Sequence, residues 1–126
     1  LVVQPSRSEG FGLVALEAMA SACPVIVTNW GGFLEFAGPG MIRINGTRRA
    51  AGRAQYHERH PEAEIFDPDP RQFRSRIREL IDQPDELSQL GKKARETAQS
   101  FTWDRTARRT VEVLRNNELG QDAKTS

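Results

Sequence analysis

The chain has 126 residues, a formal net charge of +1 and a single cysteine, Cys23. This length is enough for one domain with a modest hydrophobic core, and so balanced a charge gives no reason to expect nucleic acid as a partner. A single cysteine excludes an internal disulfide framework and is weakly typical of a reducing compartment. No window of apolar residues is long enough for a membrane-spanning helix. Composition therefore leaves a globular domain whose function must be sought in its motifs.

The first 28 residues predict a βαβ unit. Residues 1–4 are predicted as the end of a strand, and the apolar residues of 12–22 recur at spacings of three and four, as in a helix. Pro24 ends this helix because the residue before a proline is disfavoured in the helical region. The β-branched run Val25–Thr28 predicts a strand buried on both faces of a parallel sheet. A right-handed crossover should join the two strands.

Shorter elements follow this unit. Residues 33–37 predict a short helix and 41–44 a strand. Residues 45–62 are polar and basic, and we expect them to be the least structured part of the chain. An extended piece at 63–66 then leads into the last part of the chain.

The last part of the chain predicts three helices. The segment Asp67-Pro68-Asp69-Pro70 indicates a turn and a helix start, and Pro84 opens the next helix. Thr102 is the predicted N-cap of the final helix. We expect Phe101 and Trp103 to anchor that helix by packing.

Two loops, residues 5–12 and 29–32, leave the carboxyl edge of the predicted sheet. Open parallel sheets bind ligands at that edge. Both loops contain glycine, so their backbones can approach a ligand closely. The first loop runs directly into a helix N-terminus, whose free N–H groups and dipole attract phosphate.

Two glutamates flank this helix start. Glu9 precedes the helix, and Glu17 lies about one and a half turns inside it. Helical side chains tilt toward the N-terminus, so Glu17 is predicted to reach back to the mouth where Glu9 stands. Ionised carboxylates only accept hydrogen bonds, and vicinal sugar hydroxyls are their natural donors. A sugar nucleotide would satisfy both glutamates and the helix N-terminus. The same pattern also fits a structural role, with Glu9 complementing the dipole and the glycines forming a tight turn.

Residues 6–35, SRSEGFGLVALEAMASACPVIVTNWGGFLE, resemble the C-terminal domain of retaining glycosyltransferases with the GT-B fold. The sugar-nucleotide-dependent family 4 enzymes are the most similar, and their hallmark E-G-F-G-L-x-x-x-E-A-M-A is present in every letter from Glu9 onward. The later segments FDPDPRQFRSRIRELIDQP and FTWDRTARRTVEVL also resemble family segments. The likeness therefore extends over residues 1–117, apart from the middle.

The resemblance implies an incomplete α/β domain, a Rossmann-like parallel-sheet half-domain with a helical C-terminal tail. Residues 1–117 would form this partial domain, with 38–62 as an insertion or loop and 118–126 as a disordered tail. The chain opens on an apolar run without an initiator methionine. We therefore expect a fragment that lacks the N-terminal GT-B domain, where the acceptor site of the family lies.

The resemblance also implies a role for each residue of the motif. Glu9 would be the catalytic residue and would contact the donor sugar, and Glu17 would hold the ribose diol. Backbone groups that approach the sugar and the diphosphate would belong to Gly10, Phe11, Gly12 and Leu13. Residues that border the nucleotide side more distantly would be Thr28, Asn29 and Gly31.

The implied reaction is transfer of a hexose from a nucleotide diphosphate sugar to an unknown acceptor, with retention of anomeric configuration. The acceptor could be a glycan, a lipid or a small molecule. No metal and no cofactor are expected, because the helix dipole and basic side chains stabilise the leaving diphosphate. Sugar nucleotides are used mostly in the cytosol, so we expect a cytoplasmic protein.

The basic stretch 43–59 is compatible with a peripheral membrane contact, but a solvated loop is the simpler interpretation. Its single aromatic residue, Tyr56, gives little support to nucleic-acid stacking. His57 and His60 could share a helical face, but a metal site needs further ligands, and none with suitable spacing is nearby.

Two alternatives stay open beside a glycosyltransferase. One is a non-catalytic glycosyltransferase-like module that binds a nucleotide or a partner protein. The other is a relative of the non-hydrolysing sugar-nucleotide epimerases, which share the architecture but fit EGFGLVALEAMA less well.

Overall fold

Three short parallel strands form the sheet that organises this protein. The structure is a computed structural model and describes residues 1–51 and 63–122. Its sheet has the order β1 (Val2–Gln4), β2 (Val25–Thr28), β3 (Met41–Ile44), and both pairings are parallel. Helix α1 (Leu13–Ala20) connects β1 to β2. The predicted βαβ unit and the predicted third strand are therefore confirmed.

The central strand β2 faces the core on both sides. All four of its residues are buried, as the unbroken β-branched run predicts. Val25 and Val27 belong to one hydrophobic cluster, with Phe33 and residues of α1, and Ile26 belongs to a second cluster. Successive side chains of a strand point to opposite faces, so β2 ties the two clusters together.

Helices cover both faces of the sheet. After a 3₁₀ helix (Gly31–Phe36), the chain forms α2 (Pro70–Ile81), α3 (Pro84–Ala98) and α4 (Trp103–Asp122). Helix α3 contributes Ala94 and Ala98 to the cluster shared with α1, whereas α2 contributes Phe73 and Leu80 to the other. Helices on both faces of a parallel sheet define the Rossmann-like α/β architecture that we predicted.

The predicted helix starts are confirmed in atomic detail. Asp69 is the N-cap of α2, since its Oδ1 accepts a hydrogen bond from the Arg71 N–H at 2.8 Å, and Pro70 follows in the first helical turn. The Thr102 hydroxyl accepts from the Arg105 N–H at 3.2 Å at the start of α4.

The prediction of little structure across residues 45–62 is wrong for the first part of that segment. Residues Gly46–Ala50 form strand β4, which pairs antiparallel with β5 (Glu64–Pro68). Every residue of β4 is exposed, so neither face of the strand needs apolar side chains. Its sequence GTRRA therefore lacks the apolar alternation that would indicate a strand. Residues 52–62, with both histidines and Tyr56, lie outside the described residues.

The packing of the final helix differs from our prediction at Trp103, which is 85% exposed and lies outside the hydrophobic core of the described residues. Phe101 does pack, with its ring 6.0 Å from that of Phe36. Helix α4 also continues to Asp122, so the first part of the predicted disordered tail is helical. Residues 123–126 lie outside the described part of the chain.

Asp67 joins the β4–β5 hairpin to the first loop. Its carboxylate forms ion pairs with Arg49 of β4 and with Arg7. The pKa of Asp67 is lowered from its ordinary value of 3.8, mainly by the hydrogen bond from Arg49. Desolvation opposes this shift, and the hydrogen bond from Arg7 adds to it. A lowered folded-state pKa means that ionised Asp67 stabilises the fold above pH 3.8 and that this contribution is lost as the pH falls through the folded pKa.

We therefore expect Asp67→Asn to lower the melting temperature at neutral pH and to have progressively less effect as the pH falls below 3.8. Thermal melts of the wild type and the variant across the acid range measure this difference. Asp82→Asn is the control, because Asp82 is exposed and forms no ion pair among the described residues. A deficit in Asp67→Asn that stays constant into strong acid would contradict the assignment.

Candidate functional site

The two loops at the carboxyl edge of the sheet are in direct contact. The Gly32 N–H donates to the Glu9 carbonyl at 3.0 Å, and the Thr28 hydroxyl donates to the Ser6 carbonyl at 2.6 Å. A Cβ added at Gly32 would lie 2.3 Å from the Cα of Phe11, so only glycine allows the loops to approach this closely. The edge therefore has one continuous surface built from both loops.

Glu9 is held at the entry of α1 by two hydrogen bonds. Its Oε1 accepts from the Gly12 N–H at 3.1 Å, and its Oε2 accepts from the Gln4 side-chain amide at 2.9 Å. The carboxylate is half-buried, and each oxygen can accept more than one hydrogen bond. Glu9 is thus oriented by its own chain and still able to accept hydrogen bonds from a ligand.

Gln4 is a site residue that the sequence analysis missed. It ends β1 and carries the amide that orients Glu9, while its own Oε1 is buried without a hydrogen-bond partner in the described structure. A polar residue at the carboxyl end of an apolar strand was the available signal, since such positions border the ligand edge.

Helix α1 begins without a side-chain cap. Gly12 is its N-cap residue, has φ 93° and lies in the left-handed region, and no acidic residue occupies the first turn. The N–H groups of that turn therefore have no side-chain acceptor among the described residues, and they lie directly after the loop that carries Glu9. Such an end attracts anions through both hydrogen bonding and the helix dipole.

Glu17 lies on the wall of a groove between α1 and α4. The groove has a volume of about 360 Å³ and is lined mainly by apolar side chains, among them Phe11, Leu13, Phe101 and Trp103. Glu17 is exposed there, and Glu9 does not line this groove. The convergence of both carboxylates on one cavity therefore stays a prediction.

The second loop contributes structural contacts at the same edge. Thr28 is fully buried, and the Asn29 N–H donates to the Ile44 carbonyl at 2.8 Å. The Asn29 side-chain amide also donates to Asn45 at 2.9 Å. Gly31 packs against the Glu9 carbonyl, where a Cβ would come within 2.9 Å. These three residues thus border the edge and hold its loops in place.

Among the described side chains, those of residues 1–51 and 63–116, no three His, Cys, Asp or Glu side chains are grouped so that they could hold a metal ion. In the same described ranges, no helix combines the length and the apolar character needed to cross a membrane.

The parallel sheet, with its glycine-bearing edge loops and the helix that starts after Glu9, defines a Rossmann-like α/β domain. A family model described as family 4 glycosyltransferase in conflict systems matches residues 1–110. The chain belongs to this family of glycosyltransferases.

Curated relatives agree with the family. A D-inositol 3-phosphate glycosyltransferase of Kineococcus radiotolerans is 36% identical over 117 residues, which are 91% of this chain and 24% of the relative. The protein of the same name from Streptomyces coelicolor is 34% identical and is matched over 90% of this chain and 21% of its own length. An uncharacterized glycosyltransferase of Methanocaldococcus jannaschii is 35% identical, with 82% and 24% covered. The chain thus spans about a quarter of the length of these relatives or slightly less, and no solved structure matches it significantly.

The backbone conformation and close packing of Gly12 predict that a larger residue at this position destabilises the fold. A Cβ at this position would lie 2.6 Å from a ring carbon of the buried Phe33, and the φ of 93° is unfavourable for any other residue. We expect Gly12→Ala to lower the free energy of unfolding by about 2–4 kcal/mol, since overpacking and the left-handed backbone both disfavour it.

Urea denaturation of the chain measures this loss. Gly10→Ala is the matched control, because a Cβ at Gly10 meets nothing within 4 Å and its φ is not in the left-handed region. Equal effects of the two substitutions would show that the close approach of Phe33 to Gly12 is not required.

Proposed function

We propose that this chain is the donor-binding part of a retaining glycosyltransferase that transfers a hexose from a nucleotide diphosphate sugar to an acceptor. The observation that carries the proposal is the position of Glu9, which Gly12 and Gln4 hold at the uncapped start of α1. A carboxylate acceptor beside an anion-attracting helix end matches a ligand with hydroxyls next to a diphosphate. Membership of family 4 supports the same chemistry.

In this proposal, the N-terminus of α1 binds the diphosphate. The N–H groups of the first turn and the helix dipole stabilise the negative charge that develops on the leaving group. The glycines at 10 and 12 let the phosphates approach the backbone. The transfer is proposed to need neither a metal nor a cofactor, because these fixed dipoles supply the stabilisation.

Glu9 and Glu17 recognise the hydroxyl groups of the donor. Glu9 accepts from the hexose, next to the bond that breaks, with the lone pairs that Gly12 and Gln4 leave available. Glu17 accepts from the ribose diol at the entrance of the α1–α4 groove. Thr28, Asn29 and Gly31 form the nucleotide side of the edge.

We further infer that the complete protein has the two-domain GT-B organisation and works in the cytoplasm. The chain corresponds to about a quarter of its relatives, so a separate domain can carry the acceptor site. Relatives are named as D-inositol 3-phosphate glycosyltransferases. A phosphorylated polyol is therefore the first acceptor to test.

A non-catalytic, nucleotide-binding module is the second candidate. One observation favours it: both carboxylate oxygens of Glu9 already accept hydrogen bonds from the chain itself. A purely structural Glu9 would leave the diphosphate affinity of the helix end intact but would supply no catalytic group.

The two glutamates can be tested in the complete natural polypeptide that carries this chain. We expect Glu9→Gln to lower kcat for hexose transfer by about 100-fold, because it weakens an acceptor next to the reacting centre. Glu17→Gln should raise KM for the donor about 10-fold with a smaller effect on kcat, because the ribose does not react.

Steady-state kinetics with varied nucleotide sugar separates these effects. Glu96→Gln is the control, because Glu96 is an exposed residue of α3 with no hydrogen bond or ion pair among the described residues. Wild-type transfer rates in both site variants would remove the proposed roles. Tight binding of a nucleoside diphosphate by a wild type that performs no transfer would instead favour the non-catalytic module.

A further inference from the structure

The β4–β5 hairpin lies against both loops of the candidate site. The Phe66 N–H of β5 donates to the Arg7 carbonyl of the first loop at 2.8 Å. The Phe66 ring also stacks on Trp30 of the second loop, with centroids 5.8 Å apart and planes inclined by 9°. The hairpin is thus fixed at the carboxyl edge of the sheet, where the ligand is proposed to bind.

The neighbouring arginines of β4 point to opposite faces of this hairpin. Arg48 is paired with Phe66, and its guanidinium carbon lies 4.2 Å from the centre of the Trp30 ring. Arg49, one residue later, lies on the other face and forms an ion pair with Asp67. Arg7 donates to the same carboxylate at 2.6 Å.

The two arginines differ in how many of their N–H donors are engaged by these contacts. Arg49 donates its Nε–H to Asp67, so part of its hydrogen-bonding edge is taken up by a carboxylate. The contact of Arg48 with Trp30 is a cation–π interaction, which orients the guanidinium without using any of its five N–H donors. Among the side chains of residues 1–51 and 63–116, no carboxylate lies at ion-pair distance from Arg48.

The position of Trp30 connects Arg48 to the site. Trp30 directly precedes Gly31 and Gly32, which pack on the backbone of residues 9–11. The Arg48 guanidinium, which contacts the Trp30 ring, therefore lies beside the loop that packs on residues 9–11, just before the start of α1. A planar fork of N–H donors is well suited to two oxygens of one phosphate.

We propose that Arg48, oriented by Trp30, binds a phosphate group of the ligand at this edge. The location of the ligand rests on the proposed function, but Arg48 is a binding residue additional to that function. The phosphate belongs either to the diphosphate of the donor or to a phosphorylated acceptor, and binding measurements with each distinguish the two sources.

The test uses the complete natural polypeptide and calorimetric titration. The probes are nucleoside diphosphates (ADP, GDP, UDP and dTDP) for the donor, and D-inositol 3-phosphate for the acceptor. Arg48→Gln should weaken binding of one probe class by at least about 10-fold, as expected for loss of a charge-assisted hydrogen bond to phosphate. Weakened nucleoside diphosphate binding identifies the donor as the source, and weakened inositol phosphate binding identifies the acceptor.

Arg49→Gln is the matched control on the same strand, and it should change each affinity by less than about 2-fold, because Asp67 already occupies this side chain. Arg48→Lys keeps the charge but loses the planar fork, so its effect should lie between those of the wild type and Arg48→Gln. Thermal melts of each variant show whether the hairpin is intact. Because Arg48 is exposed, we expect the melting temperature of Arg48→Gln to equal or exceed that of Arg49→Gln.

The proposal is overturned if Arg48→Gln and Arg49→Gln bind every probe equally, or if the wild type binds no probe. Failure of the proposed function gives a different result. If Arg48→Gln loses phosphate binding and the wild-type protein performs no hexose transfer, the phosphate site is retained and the proposed reaction is not. If the wild-type protein transfers hexose and Arg48→Gln binds every probe with unchanged affinity, the reaction is retained and the phosphate site is not.

Discussion

Parallel pairing of β2 between β1 and β3 is the constraint on which the rest of the structure depends. Its four residues are buried, and they connect the hydrophobic clusters on the two faces of the sheet. Because the three strands run in the same direction, their carboxyl ends meet at one edge. The hydrogen bond from Thr28 to Ser6 and the close contact of Gly32 with Phe11 then join the loops that leave this edge. The candidate site is a direct consequence of that pairing.

Glu9 is a side chain in which a structural role and the chemical role that we propose coincide. Its hydrogen bonds to Gly12 and Gln4 fix the turn into α1, and they also hold a carboxylate beside an uncapped helix N-terminus. The turn would need Glu9 even in a protein without catalytic activity. Kinetic effects on transfer, rather than effects on stability, therefore carry the weight in assigning it a catalytic role.

The hairpin illustrates how alternation along a strand separates the tasks of adjacent arginines. Arg49 joins Asp67 and Arg7 in an ion-pair network that attaches the hairpin to the first loop. Arg48 faces Trp30 instead, and no ion pair engages its N–H donors among the described residues. A strand places successive residues on opposite faces, so two residues of identical chemistry have different neighbours, and the ligand-binding role that we propose falls to Arg48 alone. The proposed phosphate contact follows from this geometry and from the position of Trp30 at the edge of the sheet.

Local sequence determined the elements whose signals lie within a few residues. The β-branched run predicted β2, the segment Asp67-Pro68-Asp69-Pro70 and the cap Thr102 predicted helix starts, and the motif from Glu9 to Glu17 predicted the family to which the chain belongs. Tertiary structure alone decided the features that depend on residues distant in sequence. Strand β4 has no apolar alternation and exists because it pairs with β5, and Gln4 orients Glu9 only because the first loop folds back on β1. Glu17 lies in a groove that the packing of α4 creates, and Trp103 is exposed because the groove leaves its ring outside the core. Local propensity and periodicity report on the chain near each residue, whereas pairing, burial and side-chain partners are set by whichever elements the fold brings together.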